Sequence, residues 1–581
     1  MTELAIADFE LFKGRVAGAR REVELVIERT ARSPIIREKK DYFVAFFTAA
    51  GELITGTNMP LGATAVNVIL EQFPLSDMRD GDVFAYNDPY SSHGGISHSP
   101  DFVMIAPVLI DEEVVAFSQV FGHLWDIGGG FVGSSSPAAR DVYQEGTRIP
   151  PLKLARAGVA QEDILRIMAT NSRFPDYLRG DLQALLSGCQ LGARRVRELF
   201  EAFGVARSRS AIDRSFAQGE ELMRQAVGGI PEGEYEFVQW IDAPADDMDP
   251  VHVTLSLRRS GDSLVLDATK TDDQSIYPIN FIATPTVFAM NLAMFYSRLD
   301  GSVGINGGTM RAFSDVMLRE GSLLAPRSPA PLGQRGILTI GATNALLGAL
   351  AQATNQSSPA ATPPYVVYDI SGVDAKSGST VRFVDGLGTG WGARSDADGY
   401  DCIYYVSQKN IPVEFIEKTA PIEVLQYRLR IDSGGAGRHR GGLGVTRTVR
   451  VLADGLQLTS RVGGVQHPAW GVDGGRSGEG GSVVVNAGTP EEVRLHPLCQ
   501  GYQLRKGDIV SVSTSGGGGH GDPLDRPIER VVDDVLDGFV SVEVATSVYG
   551  VDVDVVNQRG AATAARRLGG RSGLVTTQGG V

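Results

Sequence analysis

Cysteine is almost missing from this chain: Cys189, Cys402 and Cys499 are the only three in 581 residues. They lie too far apart for a Cys-x-x-Cys metal knuckle and are too few for a disulfide framework, so a reducing, cytoplasmic setting is expected. Positive charge is also short. Lysine and arginine total 54 against 69 aspartates and glutamates, a net charge of −15. A nucleic-acid surface needs a basic stripe and an anionic membrane attracts the same sign, so neither is an expected partner. Long apolar runs are scarce. A stretch such as Phe102 to Ile110 falls far short of a bilayer span, and Met1 to Glu10 is polar and acidic, unlike the apolar core of a signal peptide. No Gly-x-x-x-x-Gly-Lys-Ser/Thr loop occurs, so the sequence offers no standard cradle for the phosphates of ATP.

What is abundant is glycine, with 71 residues, about 12% against an average near 7%. The surplus has no fixed period. Much of it sits in short runs between apolar stretches: Gly128 to Gly130, Gly434-Gly435, Gly441-Gly442, Gly474-Gly475 and Gly516 to Gly519. Such runs suit turns with positive φ and close approach of backbones, which implies many tight turns and much β-structure. The length is too great for one core and implies two to four domains.

Along the chain, Glu3 to Thr30 has a helical pattern on Leu11, Val16, Val23, Val26 and Ile27, stopped by Ser33-Pro34. Asp41 to Thr48 and Leu53-Ile54 read as a hairpin, and Ala63 to Phe73 as a helix. Phe102 to Ile110 and Val114 to Phe121 read as a second hairpin around Asp111-Glu112-Glu113. Gln161 to Phe203 is helix-rich with a break at Arg173-Phe174-Pro175; Phe237 to Asp272 alternates like strands. Further helices are expected at Pro285 to Leu299, with Thr284 as N-cap, and at Thr343 to Thr354. Arg428 to Ser515 is strands and glycine turns; Ile528 to Leu536 and Ser541 to Tyr549 close the fold before a loose tail.

Three of the eight histidines lie between residues 93 and 123, and two of them have a geometric argument. His98 and Asp101 precede the first strand of the second hairpin; His123 and Asp126 follow its last. A three-residue turn at Asp111 to Glu113 sets Asp101 opposite His123, so His98, Asp101 and His123 meet at the open end of the hairpin. Two imidazoles and a carboxylate suit zinc, manganese or iron with positions left for water. The same residues also read as a polar hairpin end in which His98 closes a turn. Asp126 can orient His123, as carboxylates do for metal-bound imidazoles, or act as a base, and Asp88 can do the same near His98; both also read as turn-forming acids. Gly516 to Gly519 with His520 reads either as a phosphate cradle or as a tight turn. The Arg438-His439-Arg440 cluster reads as a phosphate-binding group or, in preference, a solvent-facing patch, and His467 to Gly471 as a packed loop rather than a site.

Taken together these motifs resemble the hydantoinase B/oxoprolinase family. The resemblance is carried by Asn87-Asp88-Pro89-Tyr90, Gly94-Gly95, His98-x-x-Asp101, His123-x-x-Asp126-Ile127-Gly128-Gly129, Glu145-Gly146 and Ile149 to Leu154. It continues through Pro278-Ile279-Asn280, Gly392-Ala393-Arg394, Ser433 to Arg438, Arg440-Gly441-Gly442 and Gly516 to Leu524, in colinear order over roughly residues 10 to 550. The family includes subunits of ATP-dependent hydantoinases, lactam hydrolases such as caprolactamase, 5-oxoprolinases, and acetone and acetophenone carboxylases.

The resemblance implies a hydantoinase A-type partner that uses ATP to phosphorylate a carbonyl oxygen of a small cyclic amide or ketone, in a heterotetramer or larger assembly. This chain would hold one divalent transition metal, with Asp41 joining His98, Asp101 and His123 as ligands, and metal-bound water would open the ring. A carboxylase subunit is the alternative, and a non-catalytic scaffold subunit a further one. The chain departs from the family pattern at Leu124, where a second histidine often stands, at Asn58 to Gly62, which lacks a histidine, and at Leu332-Gly333-Gln334-Arg335-Gly336, which replaces a Gly-Gly-Asn-rich loop. The expected fold class is mixed α/β (α+β) and multidomain. Its expected parts are a metal-bearing N-terminal domain over 1–235, a central α/β domain over 236–427, a glycine-turn-rich β domain over 428–525, and closing helices with a tail over 526–581.

Overall fold

The computed structural model of the protein describes residues 5–57, 64–296, 304–374, 378–404, 408–555 and 562–567. Asn58 to Gly62, most of the expected tail and the first residues of the expected first helix lie outside them. The described residues divide into two compact units. One draws on 1–234, 257–338 and 406–412, the other on 235–256, 339–405 and 413–581. Composition suggested four consecutive segments; the chain instead passes repeatedly between two units. Packing between distant segments leaves no mark on local composition.

In the first unit, α1 (Ile6–Thr30) buries Phe9, Phe12, Val16, Val23 and Ile27, one stripe of a 3.6-residue period. Leu11, expected on that stripe, is 50% exposed, because Phe9 and Phe12 on either side of it take the core face. A seven-stranded antiparallel sheet follows, ordered β2-β1-β5-β4-β3-β6-β7. Its members are β1 (Tyr42–Thr48), β2 (Leu53–Gly56), β3 (Val83–Tyr86), β4 (Asp101–Ile110), β5 (Glu113–His123), β6 (Leu152–Arg156) and β7 (Val159–Ala160). Side chains alternate across it. Phe43, Ala45, Phe47, Val103, Ile105, Phe117 and Phe121 share a core with Val66 and Ile69 of α2 (Ala65–Gln72). The opposite face is covered by α4 (Pro175–Phe203), which follows α3 (Glu162–Asn171) across the break at Arg173 to Pro175. The helix approaches so closely that a Cβ on Gly192 would lie 2.2 Å from Ser118 Oγ. Burial on both faces is why these strands read as unbroken apolar runs.

The β4–β5 hairpin has the expected register for a reason the sequence did not show. The turn is two residues, Asp111 and Glu112, with φ of 49° and 64°, the left-handed pair of a type I′ hairpin. Ile110 therefore pairs with Glu113 and Leu109 with Val114; a bulge then inserts one residue, and from Val108↔Ala116 onward the pairing runs to Asp101↔His123. The shorter turn and the bulge cancel at the far end.

Elsewhere Pro285–Phe295 forms α5, with Thr284 as N-cap by backbone but without a capping side-chain bond. The next apolar helix, α6 (Gly336–Ala353), starts earlier than expected. Among the described residues it is the one helix long and apolar enough to cross a membrane, yet Leu338, Ala345 and Leu350 are fully buried within the protein.

The two larger sheets of the second unit are antiparallel, ordered β9-β8-β12-β15 and β10-β11-β16-β13-β14. Their strands are β8 (Val366–Val373), β9 (Thr380–Leu387), β10 (Ile422–Leu429), β11 (Val445–Val451), β12 (Leu456–Arg461), β13 (Ser482–Val485), β14 (Val493–Arg494), β15 (Tyr502–Leu504) and β16 (Ile509–Ser513). Beside them lie glycine segments whose backbone bonds run from one segment to another. Gly516, Gly517, Gly518 and Gly519 donate to Glu479, Gly442, Ala361 and Arg476; Gly435 donates to Gly517 and Gly442 to Trp391. None of Gly434, Gly435, Gly441, Gly442 or Gly516 to Gly519 adopts a left-handed φ, so the expectation of turns is corrected at these positions. What they need is proximity: a Cβ on Gly517 would stand 2.1 Å from the Trp391 carbonyl oxygen.

Substituting Gly517→Ala should therefore destabilise the protein by about 3 kcal/mol or more. Gly18→Ala, in α1 with nothing within 4 Å of the added carbon, should stabilise by roughly 0.5–1 kcal/mol. Denaturant unfolding of both variants beside the parent checks this; equal midpoints for the two would refute the close-packing account.

Candidate metal centre

Three strand ends meet at one end of the first sheet. Asp101 opens β4, His123 closes β5 directly opposite, and Asp41 immediately precedes β1, its carbonyl accepting the His123 N–H at 3.0 Å. His98 is brought in by a turn in which Asp101 N–H donates to the His98 carbonyl at 3.2 Å and Leu124 N–H to that of Pro100 at 2.8 Å. Asn87, one residue past β3, pins this turn. Its amide donates to the carbonyls of Ser99 at 2.8 Å and Thr147 at 2.9 Å, and its oxygen accepts from Ile149 N–H at 2.5 Å.

The result is compact. Asp101 Oδ1 lies 3.2 Å from His98 Nε2 and 3.1 Å from His123 Nδ1, and the two rings are 4.9 Å apart. One ligand-type atom from each residue falls within 4.8 Å of the others. Asp41 stands beside this trio rather than in it, with Gln408 bonded to its carboxyl. Burial raises Asp41, opposed by the attraction of His123 and reinforced by the repulsion of Asp101. Burial works against Asp101 too, but His98, His123 and Arg335 together hold its carboxyl well below the usual range. Burial, joined by the Arg335 charge, takes His98 down to about 3 against the pull of Asp101. A neutral imidazole and an ionised carboxylate are the protonation states that metal ligation requires.

The donor set passes a test of fit. His98 is 2% exposed, and neither of its ring nitrogens has an aligned hydrogen-bond partner. A buried imidazole whose nitrogens lack aligned hydrogen bonds is costly, and a cation beside Asp101 would remove that cost. Nitrogen and oxygen donors in this ratio suit zinc, manganese or iron.

Arg335, beside the trio, and Glu145, which holds the turn carrying it, had no assigned role in the sequence. Arg335 sits with Nη2 3.5 Å from Asp101 Oδ2 and donates from Nε to Ser97 Oγ at 2.9 Å. Glu145, 1% exposed, accepts the N–H groups of Leu332 at 2.8 Å and Gly333 at 2.6 Å through one oxygen, while the other has no partner. Both belong to stretches that the motif pattern had marked, Glu145-Gly146 and Leu332 to Gly336, but a separation of almost two hundred residues hides their meeting.

The structure places the other candidates apart from the trio. Asp126 is buried, and its carboxylate accepts N–H bonds from Gly128 at 3.1 Å, Gly133 at 2.9 Å and Arg173 at 2.9 Å, with the Arg173 guanidinium at 3.1 Å. None of its described bonds reaches His123. Asp88 pairs with Arg148 at 3.2 Å and caps Tyr90 N–H at 3.1 Å. The phosphate cradle at Gly516 to Gly519 is corrected, since all four N–H groups are spent on neighbouring carbonyls. Arg440 is buried against Asp401 and Asp534 rather than facing solvent. The loop around His467 is packed, with Asp242 accepting the N–H groups of Val465, Gln466 and His467.

Comparison with known proteins agrees with the motif pattern. The Hydantoinase B/oxoprolinase family pattern matches residues 6–523. A protein of Pseudomonas sp. (strain NS671), provisionally named as a D-/L-hydantoinase subunit, is 30% identical over 91% of this chain and 92% of its own length. The crystal structure of ATP-dependent caprolactamase from Pseudomonas jessenii superposes with a TM-score of 0.82 at 26% identity, covering 96% of this chain and 98% of that one. The acetophenone carboxylase delta subunit of Aromatoleum aromaticum is 24% identical over 88% of this chain and 81% of its length.

Two expectations follow from the geometry. The purified chain should carry about one first-row divalent ion, and His98→Ala combined with His123→Ala should abolish it; full occupancy of the double variant by elemental analysis would remove the site. The second concerns Glu145, whose carboxyl burial pushes up to about 8, against the opposing N–H groups of Gly333 and Leu332 and the Arg335 charge. The folded protein then holds a proton that the unfolded chain releases near its ordinary 4.5, so stability falls as pH rises between those values and levels off above. Glu145→Gln cannot titrate. Relative to it the parent should lose stability across that window, by at most ~1.4 kcal/mol per pH unit, measured by urea unfolding; a pH-independent difference would contradict a neutral carboxyl.

Proposed function

The chain belongs to the hydantoinase B/oxoprolinase family, and we propose that it is the metal-binding subunit of an ATP-dependent complex that hydrolyses a cyclic amide. The observation that carries this reading is the buried His98–Asp101–His123 trio. Support for a multi-subunit setting comes from the relatives, which are named as subunits; the partner in this proposal is a hydantoinase A-type chain that binds ATP.

In this proposal the labour is divided between two chains. The partner transfers the terminal phosphoryl group of ATP to the amide oxygen, which leaves the carbonyl carbon as an imidate-type electrophile. Water then adds to that carbon, the carbon–nitrogen bond breaks, the ring nitrogen takes a proton, and a second water releases phosphate. A divalent zinc, manganese or iron ion would supply Lewis acidity at this carbon and lower the pKa of water. His98 and His123 would hold it as neutral imidazoles and Asp101 would contribute the charge, with Asp41 at hand as a fourth donor. Asp126 and Asp88 serve by fixing the loops that follow β5 and β3. The setting is proposed to be cytoplasmic.

A carboxylase is the second reading, favoured by the likeness to the acetophenone carboxylase subunit. There the partner would make a phosphorylated enol and carboxyphosphate, and ATP turnover would depend on bicarbonate, which separates the two chemistries.

With the partner present, Asp101→Ala should still permit phosphorylation of the substrate but suppress product by at least ~10–100-fold, the loss expected when metal affinity falls. The measurement is ATP consumed against product formed, parent beside variant. An unchanged product yield would reduce the trio to a structural cluster.

A further inference from the structure

The chain returns to the first unit for one short stretch, 406–412. There Lys409 N–H donates to the Lys39 carbonyl at 2.9 Å, and Ile411 is buried at 3% exposure. The pairing of 409 with 39 sets Gln408 beside Asp41, and the Gln408 carboxamide is hydrogen-bonded to the Asp41 carboxyl. No motif in the sequence marks Gln408, which stands more than three hundred and sixty residues beyond Asp41.

The main chain of Asp41 is already fixed. Its N–H donates to the Ile35 carbonyl at 3.0 Å, and its carbonyl accepts the His123 N–H at 3.0 Å. What remains free is the pair of side-chain torsions that place the carboxyl, and the bond from Gln408 restrains them. A carboxylate accepts hydrogen bonds and donates none, so the amide turns Nε2 toward Asp41 and Oε1 away. That Oε1 is buried and has no partner among the described residues. A buried acceptor without a donor costs stability, and an apolar side chain of the same length would not carry that cost. A polar group kept at the expense of folding points to a task other than folding.

We propose that Gln408 is the positioning residue that makes Asp41 a metal ligand beside His98, Asp101 and His123. Its N–H holds one carboxylate oxygen and leaves the other for the ion. Carboxylates that ligate metals accept outer hydrogen bonds of this kind, and losing one weakens metal binding about 10–100-fold. A carboxamide supplies the bond without bringing a second positive charge toward the cation, as lysine or arginine would. Gln408 acts through Asp41 and touches no reacting atom. The inference rests on the reading of the trio as a metal centre and deepens it by naming the side chain that completes the ligand set.

The test uses the full chain, stripped with a chelator and titrated with zinc against a chromophoric competitor, and with cobalt(II) followed by its visible absorption. Gln408→Met should weaken zinc binding by about tenfold or more and alter the cobalt spectrum. Urea unfolding of the stripped protein should show the same midpoint for Gln408→Met as for the parent, or a higher one, because the orphaned oxygen is gone. Asp41→Ala should weaken zinc as well, and adding Gln408→Met to it should change nothing further. Equal zinc affinity in the parent and Gln408→Met overturns the proposal. So does an unchanged affinity in Asp41→Ala, or a loss from Gln408→Met that persists in the Asp41→Ala background. A Gln408→Met chain that unfolds more readily than the parent, or fails to fold, makes the residue structural and overturns it too. A parent that takes up no ion overturns the reading of the trio and the role of Gln408 with it, whereas parity of parent and variant in a chain that does bind overturns the role of Gln408 alone.

Discussion

The cross-strand register of β4 and β5 is the constraint on which the site depends. Asp101 faces His123 because a two-residue turn and a one-residue bulge offset each other along ten pairs of residues. A slip of one residue would move every side chain to the opposite face of the sheet. It would also exchange the Phe117 and Phe121 face, packed on α2, with the face under α4. The same hydrophobic alternation that builds the core therefore sets the position of the trio, and the bulge is as necessary to the site as its ligands.

Around that register the protein uses buried polar side chains as clamps on backbone. Asn87 ties the turn bearing His98 to the segment at 147–149. Asp126 gathers the loop after β5, and Glu145 gathers the turn that carries Arg335. Each takes two or more main-chain N–H or carbonyl groups that would otherwise be buried without partners. Acids that look alike in sequence thus part company in space. Asp101 faces two imidazoles, while Asp126, three residues beyond His123, is consumed by backbone donors and one arginine.

The second unit satisfies its backbone donors in a different way. Its glycine segments exchange hydrogen bonds with one another, and any side chain would push them apart. The excess of glycine was visible in composition, and both of its uses, turns and close approach, could be named from chemistry. Which use applied could not be read, because a glycine run has the same sequence whether it bends alone or packs against another run far away along the chain.

What the sequence determined by itself was local or periodic. The two hairpins, the break before Pro175, the helix at Ile528 and the colinear motifs all follow from alternation, turn residues and spacing, which act over a few residues. The meeting of His98, Asp101 and His123 was also within reach, since both strands belong to one hairpin. Tertiary structure decided the rest. It set the exposure of Leu11, the assembly of two units from interleaved segments, the spent carboxylate of Asp126, and the arrival of Glu145 and Arg335 at one place. Those outcomes depend on which distant backbone groups and apolar faces find each other, and a linear chain carries no local signal of that choice.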